Sequence, residues 1–302
     1  MAKDKKPNEI VSFYGGRAQV EIQPWGDHFR YKRVGERTGY LSVTAVTKNL
    51  DKSHALIPWA VKLVGTHITS FFEASVSNQF SKEEIFVVVA EAVLKPEEAK
   101  VKGGTSGDFI HDFAHDFAKS KRDGSTPPTI AHLDQKDETH MKALNGINAF
   151  LEWYNANEVE FLEMEKLVYY NSFLAGDSKE GEVVIEFIGI LDLLARVNGV
   201  VGVWDYKSSK GIYSDQRYQN SAYWKAYNSD NALKAEVGGI LNFGKETGEL
   251  IKGEYPTVEV TKDFDFGFKG LYLTTLREKE LEAERTAAKK AEAAKITEEQ
   301  LA

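Results

Sequence analysis

The sequence predicts a mixed fold, of the α/β or α+β class, whose core follows an all-helical section. A change in the spacing of apolar residues along the chain predicts this fold. Apolar residues recur at helical spacings of three and four through most of 42–156. From residue 158 the pattern becomes strand-like over Val159–Tyr170, Val183–Val197 and Val200–Lys207. Asn198-Gly199, between the last two segments, is typical of a tight hairpin turn.

Turn residues divide the first 133 residues into a small hairpin and a series of helices. Ala18–Ile22 and His28–Arg33 alternate as strands around a turn at Pro24–Asp27. Helices follow over 42–50 and 55–72, the second with Ser53 as its N-cap. A third helix begins at a capping box and ends before a proline, and a fourth covers about 105–120. Ser81 and Glu84 form the capping box, and Pro96 is the proline at the end of this third helix.

The remainder of the chain alternates between helix and strand. Residues 135–156 have the pattern of a long amphipathic helix, 214–229 return to helical spacing, and Val237–Phe243 and Val258–Val260 are strand-like. From about Arg277 a mixed Glu/Lys/Ala tail predicts a solvated helix, with a partner-binding coiled coil as the alternative. We therefore divide the chain into four regions: 1–40, 41–133, 134–276 and 277–302.

Composition excludes several classes of site. The 302 residues include no cysteine, which removes disulfides, thiolate zinc sites, iron–sulfur clusters and cysteine nucleophiles. Carboxylates and seven histidines remain as metal ligands. No run of about 18 apolar residues exists, so we expect no membrane span. The basic start lacks the apolar segment of a secretory signal, so we expect a cytoplasmic protein.

The net charge disfavours non-specific coating of nucleic acid but leaves a local channel open. Lys and Arg number 38 against 46 Asp and Glu, a formal charge of −8. Polyphosphate binding depends on basic surface. A single groove on an acidic protein can still be positive, and a site that holds a divalent metal must itself be acidic.

Asp205, Tyr206 and Lys207 close a strongly apolar strand. Side chains alternate along a strand, so Asp205 and Lys207 share one face and Tyr206 lies on the other. A carboxylate beside an ammonium suits metal-assisted hydrolysis, in which the lysine orients water or stabilises phosphate charge. An acid-x-Lys triplet alone is also the pattern of a surface salt bridge, and Glu98-Ala99-Lys100 is an example.

Asp192 on the preceding strand makes a surface salt bridge a poorer explanation of the Asp205-Tyr206-Lys207 triplet. It interrupts the apolar run Phe187–Ala195, where an ionised carboxylate is costly without a cation or several donors. Folding the two strands about Asn198-Gly199 brings Asp192 opposite Asp205, within a residue or two. Two adjacent carboxylates repel each other unless a cation lies between them.

Three further residues are candidates for the same pocket. Gln219 and Tyr223 are four residues apart and share one helix face. Their amide and hydroxyl are placed to steady the lysine or contact a phosphate, whereas an ordinary amphipathic helix with a buried tyrosine gives the same spacing. Glu165, within Phe161–Tyr170, projects either toward the metal pocket or into a buried ion pair.

This ordered set resembles the PD-(D/E)XK nuclease superfamily, and its RecB-type branch of phage and mitochondrial genome-maintenance exonucleases in particular. The resembling motifs are Gly189-Ile190-Leu191-Asp192, Asp205-Tyr206-Lys207-Ser208-Ser209 and Gln219-x-x-x-Tyr223. Glu165-Lys166-Leu167-Val168 resembles the acidic strand of that branch, and Gly104-Thr105 with His111 resembles its upstream motif. Ser42-Val43-Thr44 and Trp59-Ala60-x-Lys62 resemble the N-terminal section of phage members. The likeness spans about residues 40–245.

The resemblance implies a restriction-endonuclease-like core, a central mixed sheet flanked by helices, and cleavage of DNA with one or two Mg²⁺ or Mn²⁺ ions. Asp192, Asp205, His111 and the Tyr206 carbonyl are the implied ligands, and Lys207 is the implied water-positioning residue. Glu165, Gln219 and Tyr223 support them. The implied substrate-binding residues are Trp59, Lys62, Thr105, Ser208 and Ser209. His115 stands where the branch has an acid, as a second ligand or a structural residue, and the missing cysteines exclude the iron–sulfur subgroups.

The function expected is therefore a metal-dependent deoxyribonuclease, with exonuclease favoured by the resemblance alone. It would act in DNA recombination, repair or replication, in the cytoplasm of a bacterial host if the chain is phage-encoded. Possible protein partners are a recombinase, a single-strand-binding protein or a helicase. The alternatives are a non-catalytic nucleic-acid-binding or assembly module on the same scaffold, and an endonuclease subunit of a larger recombination machine.

Overall fold

A six-stranded mixed sheet forms the centre of the protein. The computed structural model describes residues 8–25, 28–36, 38–75 and 79–301. Strands follow the order β4-β6-β7-β8-β9, and β5 pairs with β6. The β4–β6 and β7–β8 pairs are parallel, and the β5–β6, β6–β7 and β8–β9 pairs are antiparallel. The strands are β4 Leu41–Ser42, β5 Val159–Asn171, β6 Glu186–Val197, β7 Val200–Lys207, β8 Val237–Phe243 and β9 Leu250–Pro256.

Two helical layers cover this sheet and bury its two faces. One layer contributes α1, α5, α6, a π-helical turn and α7 to an apolar cluster that includes Phe187 and Phe268. The other contributes α3 and α4 to a cluster around Phe150 and Trp204. The helices are α1 Val43–Thr47, α2 Ser53–Ala74, α3 Lys82–Asp123, α4 Glu138–Ala156, α5 Ser214–Asp230, α6 Thr257–Lys262 and α7 Lys269–Leu301, with the π turn at Asp263–Phe268.

A second, three-stranded sheet covers one end of the central one. Its antiparallel strands are β1 Glu9–Phe13, β2 Ala18–Trp25 and β3 His28–Arg33. The predicted hairpin is therefore present and gains β1 as a third strand. Its turn includes residues 26 and 27, which lie outside the described residues. Phe13 and Val20 pack against Tyr169 and Ile188 of the central sheet.

Three sequence predictions about elements are wrong. Ser53 is the first residue of α2 and Lys52 is its N-cap, because the Ser53 amide already donates to Asp51 Oδ1. The helix expected to end at Pro96 continues as the single helix α3, because packing holds both halves: Val88 and Ala92 are buried before the proline, and Ile110 after it. That packing outweighs the roughly 3 kcal/mol cost of an interior proline. The predicted strand Val258–Val260 is helix α6, because Val260 packs into the helical layer.

Helix α2 is apolar and lies outside the core. It contains an 18-residue window of mean hydropathy 1.2 with no more than two charged residues, so by length and composition alone it is a candidate membrane span. A single helix of this kind is weak support for a span. None of its residues is buried, so its apolar side chains are not part of the hydrophobic core.

Candidate active site

The site lies at a gap along one edge of β6. Leu193 to Val197 pair with β7, and Phe187 and Ile188 pair with β4. Residues 189–192 between them have no strand partner on this edge among the described residues. The ladder with β7 stops at Leu193–Trp204, while β7 itself continues beside β8 to Lys207. The diverging strands leave the Gly189–Asp192 motif at the opening.

The end of β7 places its three residues as alternation predicts. The Tyr206 ring packs into the cluster with Phe150 and Phe243. Asp205 and Lys207 share the opposite face, where the Lys207 ammonium is in ion-pair contact with the Asp205 carboxylate. Lys207 Nζ also donates a hydrogen bond of 3.2 Å to the Tyr206 carbonyl. Asp205 is fully buried, and this ammonium is the nearest positive charge that compensates its carboxylate.

Asp192 joins the two strands at the point where their ladder ends. Leu193 and Trp204 form the last pair of this ladder, so the next residues, Asp192 and Asp205, lie opposite each other. This confirms the predicted juxtaposition. The Tyr206 amide, released from the ladder, donates to Asp192 Oδ2 at 2.8 Å. From α3, His111 Nε2 lies 3.4 Å from Asp192 Oδ1. Asp192 is thus held by a backbone donor and by an imidazole.

The buried charges shift each other's pKa. Burial raises the pKa of Asp205 to about 7; the Lys207 charge opposes this shift and the Asp192 charge adds to it. For Asp192, burial is outweighed by the His111 hydrogen bond and the Lys207 charge, so its pKa is lowered. The hydrogen bond to Asp192 raises the pKa of His111. Burial opposes the charge on Lys207, but Asp205 and Asp192 hold its pKa above the ordinary value.

Glu165 lies opposite Asp192 on the other side of β6. Met164 pairs with Leu193 and Lys166 with Leu191, which sets Glu165 level with Asp192. Its φ of +47° is unusual for a residue other than glycine. Its carboxylate lies 3.8 Å from His115 Nδ1, a buried nitrogen without a hydrogen bond among the described residues. Glu165 lines the same cavity as Asp192, and His115 contacts Glu165.

Helix α5 closes the pocket beside the gap. Gln219 Nε2 donates to Tyr223 Oη at 2.9 Å, so the predicted shared face is present. Burial, followed by the Asp205 and Asp192 charges, raises the pKa of Tyr223. A Cβ at Gly189 would lie 2.5 Å from Tyr223 Cε1 and 2.9 Å from Val43 Cγ2. The glycine therefore allows the tyrosine ring to pack directly on the β6 backbone.

Cavities lie on both sides of the carboxylates. One of about 880 Å³ is lined by Glu165, Asp192, Gln219 and Tyr223 together with basic side chains from three distant parts of the chain. A smaller one of about 290 Å³ lies beside His111 and Lys207, and shares Gly103 and Ser208 with a third of about 660 Å³. The basic residues that line the two larger cavities are Arg30, Lys32, Lys48, Lys279, Lys95, Lys102, Lys142, Lys210 and Lys245.

The predicted substrate-binding residues separate into two groups. Trp59, Ser208 and Ser209 line the 660 Å³ cavity. Ser209 also has a structural role, because its amide donates to Asn242 Oδ1 at 2.8 Å. Thr105 and Lys62 line none of the three cavities, and the Thr105 hydroxyl donates to the Val101 carbonyl one turn earlier.

The donor set is suited to a hard divalent cation. Asp205 Oδ1 receives no hydrogen bond among the described residues, and the Lys207 ammonium contacts both Asp205 Oδ2 and the Tyr206 carbonyl. The Asp192 carboxylate lies beside the His111 imidazole. Carboxylate and carbonyl oxygens are the ligands that Mg²⁺ prefers, and a nitrogen ligand also suits Mn²⁺. In the described ranges no three His, Asp or Glu side chains converge as a metal centre. Lys207 contacts the same Asp205 and Tyr206 oxygens that a cation would use.

Sequence reasoning missed the basic wall of the pocket. Arg30 and Lys32 come from β3, Lys48 directly follows α1, and Lys279 comes from α7, so they lie in three distant parts of the sequence. Lys279 lies in the region predicted to be a solvated tail. Only the fold brings these side chains to one cavity.

Comparisons with known proteins add no assignment. A scan against protein-family models gave no match, and a search of curated proteins gave no significant match.

Proposed function

We propose that the protein is a metal-dependent deoxyribonuclease whose active site contains Asp192, Asp205 and Lys207. One observation carries the proposal: two acidic residues face each other across diverging strands, and a lysine contacts one of them. Burying two carboxylates and an ammonium costs free energy that apolar side chains in the same place would not cost. Such an arrangement is typical of an active site, where ionisable groups are held with shifted pKa values.

The residues that would hold Mg²⁺ or Mn²⁺ are Asp192, Asp205 and His111, with the Tyr206 carbonyl. When bound, such an ion polarises the scissile phosphate, activates water and stabilises the leaving oxygen. Hydrolysis joins a water oxygen to phosphorus and breaks the phosphorus–oxygen bond to the leaving nucleotide. Cation binding competes with Lys207 for Asp205, because the ammonium contacts that carboxylate.

Lys207 serves as a charged donor rather than as a base. Its pKa is raised, because the neighbouring carboxylates outweigh the effect of burial. An ammonium of this kind orients the attacking water and stabilises charge on the phosphate. Gln219 and Tyr223 form the polar wall beside Asp192. Glu165 extends the acidic wall.

The cavities on either side provide a path for the strand. Basic side chains line both of the larger cavities, although the chain carries a net charge of −8. Lysine and arginine in a groove bind the phosphate backbone. Trp59, half-exposed on the wall of the 660 Å³ cavity, offers an aromatic face for a base, which contributes about 1–3 kcal/mol in such proteins.

The direct test is DNA hydrolysis by matched variants. Lys207→Ala and Asp205→Asn should each lower the cleavage rate of labelled DNA in Mg²⁺ or Mn²⁺ on the order of 10²-fold or more. Each variant removes a group that acts on the transition state. Lys100→Ala, in the exposed Glu98-Ala99-Lys100 triplet, is the control and should retain full activity. Undiminished cleavage by either site variant, or an inactive wild-type protein, would contradict the proposal.

A second candidate, a non-catalytic nucleic-acid-binding or assembly module, has one supporting observation: the closed Asp205–Lys207 ion pair. Calorimetry with Mn²⁺ separates the two. A nuclease site should bind Mn²⁺ in the wild type and lose that binding in Asp205→Asn, whereas a module should bind Mn²⁺ equally weakly in both.

The mode of cleavage and the partners need separate assays. Degradation of end-labelled linear DNA with no cleavage of circular DNA would identify the exonuclease that the family resemblance favours, and cleavage of circles an endonuclease. A recombinase, a single-strand-binding protein or a helicase is a possible partner. Deletion of the residues after 281, which keeps Lys279, tests whether the charged tail is needed for such a partner to stimulate activity.

A further inference from the structure

Helix α2 and the first half of α3, residues 53–74 and 82–101, form an arm with an apolar outer face. The two helices run antiparallel, since His67 on α2 pairs with Glu91 on α3 and Phe71 packs on Phe80 near the tip. The inner face of α2 lines the 660 Å³ cavity with Trp59, Leu63 and His67.

The outer face has the spacing of a helix-packing surface. On α2, apolar residues recur at intervals of four, three, four and four, and on α3 at intervals of four and three, which is typical of helices that pack lengthwise on others. The exposed residues are Ile57, Val61 and Phe72 on α2, with Val64 and Ile68 half-buried between them, and Phe86, Ala90 and Val93 on α3. Among Asp, Glu, Lys and Arg, α2 has only Lys62 and Glu73, which lie off this stripe.

The exposed surface is large enough for a stable interface. The side chains of the outer face are exposed by up to 74% of their area at Phe86, with 65% at Val61 and 63% at Val93. The exposed side chains of this face present several hundred Å² of apolar surface, comparable with the roughly 800 Å² that each partner buries in a standard protein interface. Monomeric proteins rarely leave a contiguous patch of this size in water.

We infer that two copies of the chain associate through these outer faces, as an antiparallel bundle of four helices. The partner must be apolar over a helix length and nearly free of charge, which disfavours nucleic acid. A second arm meets both conditions, because an isologous contact matches a surface with itself. The α2 and α3 stripes then interdigitate as in helical bundles. This inference does not depend on the proposed function.

The test is the molar mass of the full chain, measured by light scattering during size exclusion over a wide range of loading concentrations. The wild type should show twice the chain mass of 33.8 kDa. Val61→Asp and Phe86→Asp should halve the measured mass with unchanged circular dichroism, because both side chains already face solvent in the single chain. Phe266→Asp, at an 85% exposed position outside the arm, should remain dimeric.

Labelling provides a measurement that does not depend on how an added charge is tolerated. The chain has no cysteine, so Val61→Cys introduces a unique thiol. Its reaction with a maleimide should slow several-fold as protein concentration rises, and the thiol of Phe266→Cys should react at a constant rate. A wild type that stays monomeric, or a Val61→Cys thiol without concentration-dependent protection, overturns the inference. A monomer that co-sediments with phosphatidylcholine–phosphatidylglycerol vesicles overturns it in favour of a lipid surface.

Discussion

Asp205 should make the protein less stable as the pH rises from 4 to 8, and asparagine at this position should remove that loss. The carboxyl is fully buried, and burial raises its pKa to about 7 in the folded chain, against 3.8 for the ordinary group. A folded-state pKa above the unfolded one means that the folded protein binds the proton more tightly. The stabilising contribution is therefore complete below pH 3.8 and is lost as the pH rises through about 7.

The size of the effect follows from the shift. Three pKa units at 1.36 kcal/mol each correspond to about 4 kcal/mol in the free energy of unfolding between pH 4 and pH 8. The Lys207 attraction is already contained in this value, because Lys207 lowers the shifted pKa. The amide of the asparagine variant would carry no charge at any pH. The advantage of Asp205→Asn over the wild type should therefore grow by about 4 kcal/mol across this range.

Urea unfolding monitored by circular dichroism, at half-unit steps of pH, measures this difference directly. Glu98→Gln, an exposed carboxylate on α3, serves as the control, and its difference from the wild type should vary by less than about 0.5 kcal/mol. A difference between Asp205→Asn and the wild type that stays constant from pH 4 to 8 would refute the reasoning. It would mean that Asp205 ionises in the folded protein as readily as in the unfolded chain.

Two further substitutions, Gly189→Ala and His111→Ala, test the residues around the gap, and each has a matched control variant. Gly189→Ala should lower the free energy of unfolding by about 1–3 kcal/mol, because its Cβ would lie 2.5 Å from the Tyr223 ring. Gly104→Ala, with no atom near the added methyl, should instead stabilise α3 by about 0.5–1 kcal/mol; equal destabilisation of both variants would contradict this packing. His111→Ala should weaken Mn²⁺ binding, measured by calorimetry, on the order of tenfold or more. His115→Ala should leave it nearly unchanged, since His115 contacts Glu165, and the reverse order would assign the ligand to His115.

Local sequence determined which polar side chains meet at the site, and most of the core elements. Strand alternation placed Asp205 and Lys207 on one face, as observed. The Asn198-Gly199 turn set a register that brings Asp192 opposite Asp205. Helical spacing placed Gln219 and Tyr223 together. These outcomes follow from periodicity over a few residues, which the sequence contains in full.

Tertiary structure decided how that site is opened and what surrounds it. The gap at residues 189–192 exists because β4, more than 140 positions away in the chain, pairs with Phe187 while β7 leaves β6 after Leu193. Packing on both sides of Pro96 kept α3 continuous. Long-range contacts also gathered the basic residues around the cavity, Lys279 among them. Such contacts depend on which distant segments bury each other's apolar surface, and no local pattern records that choice.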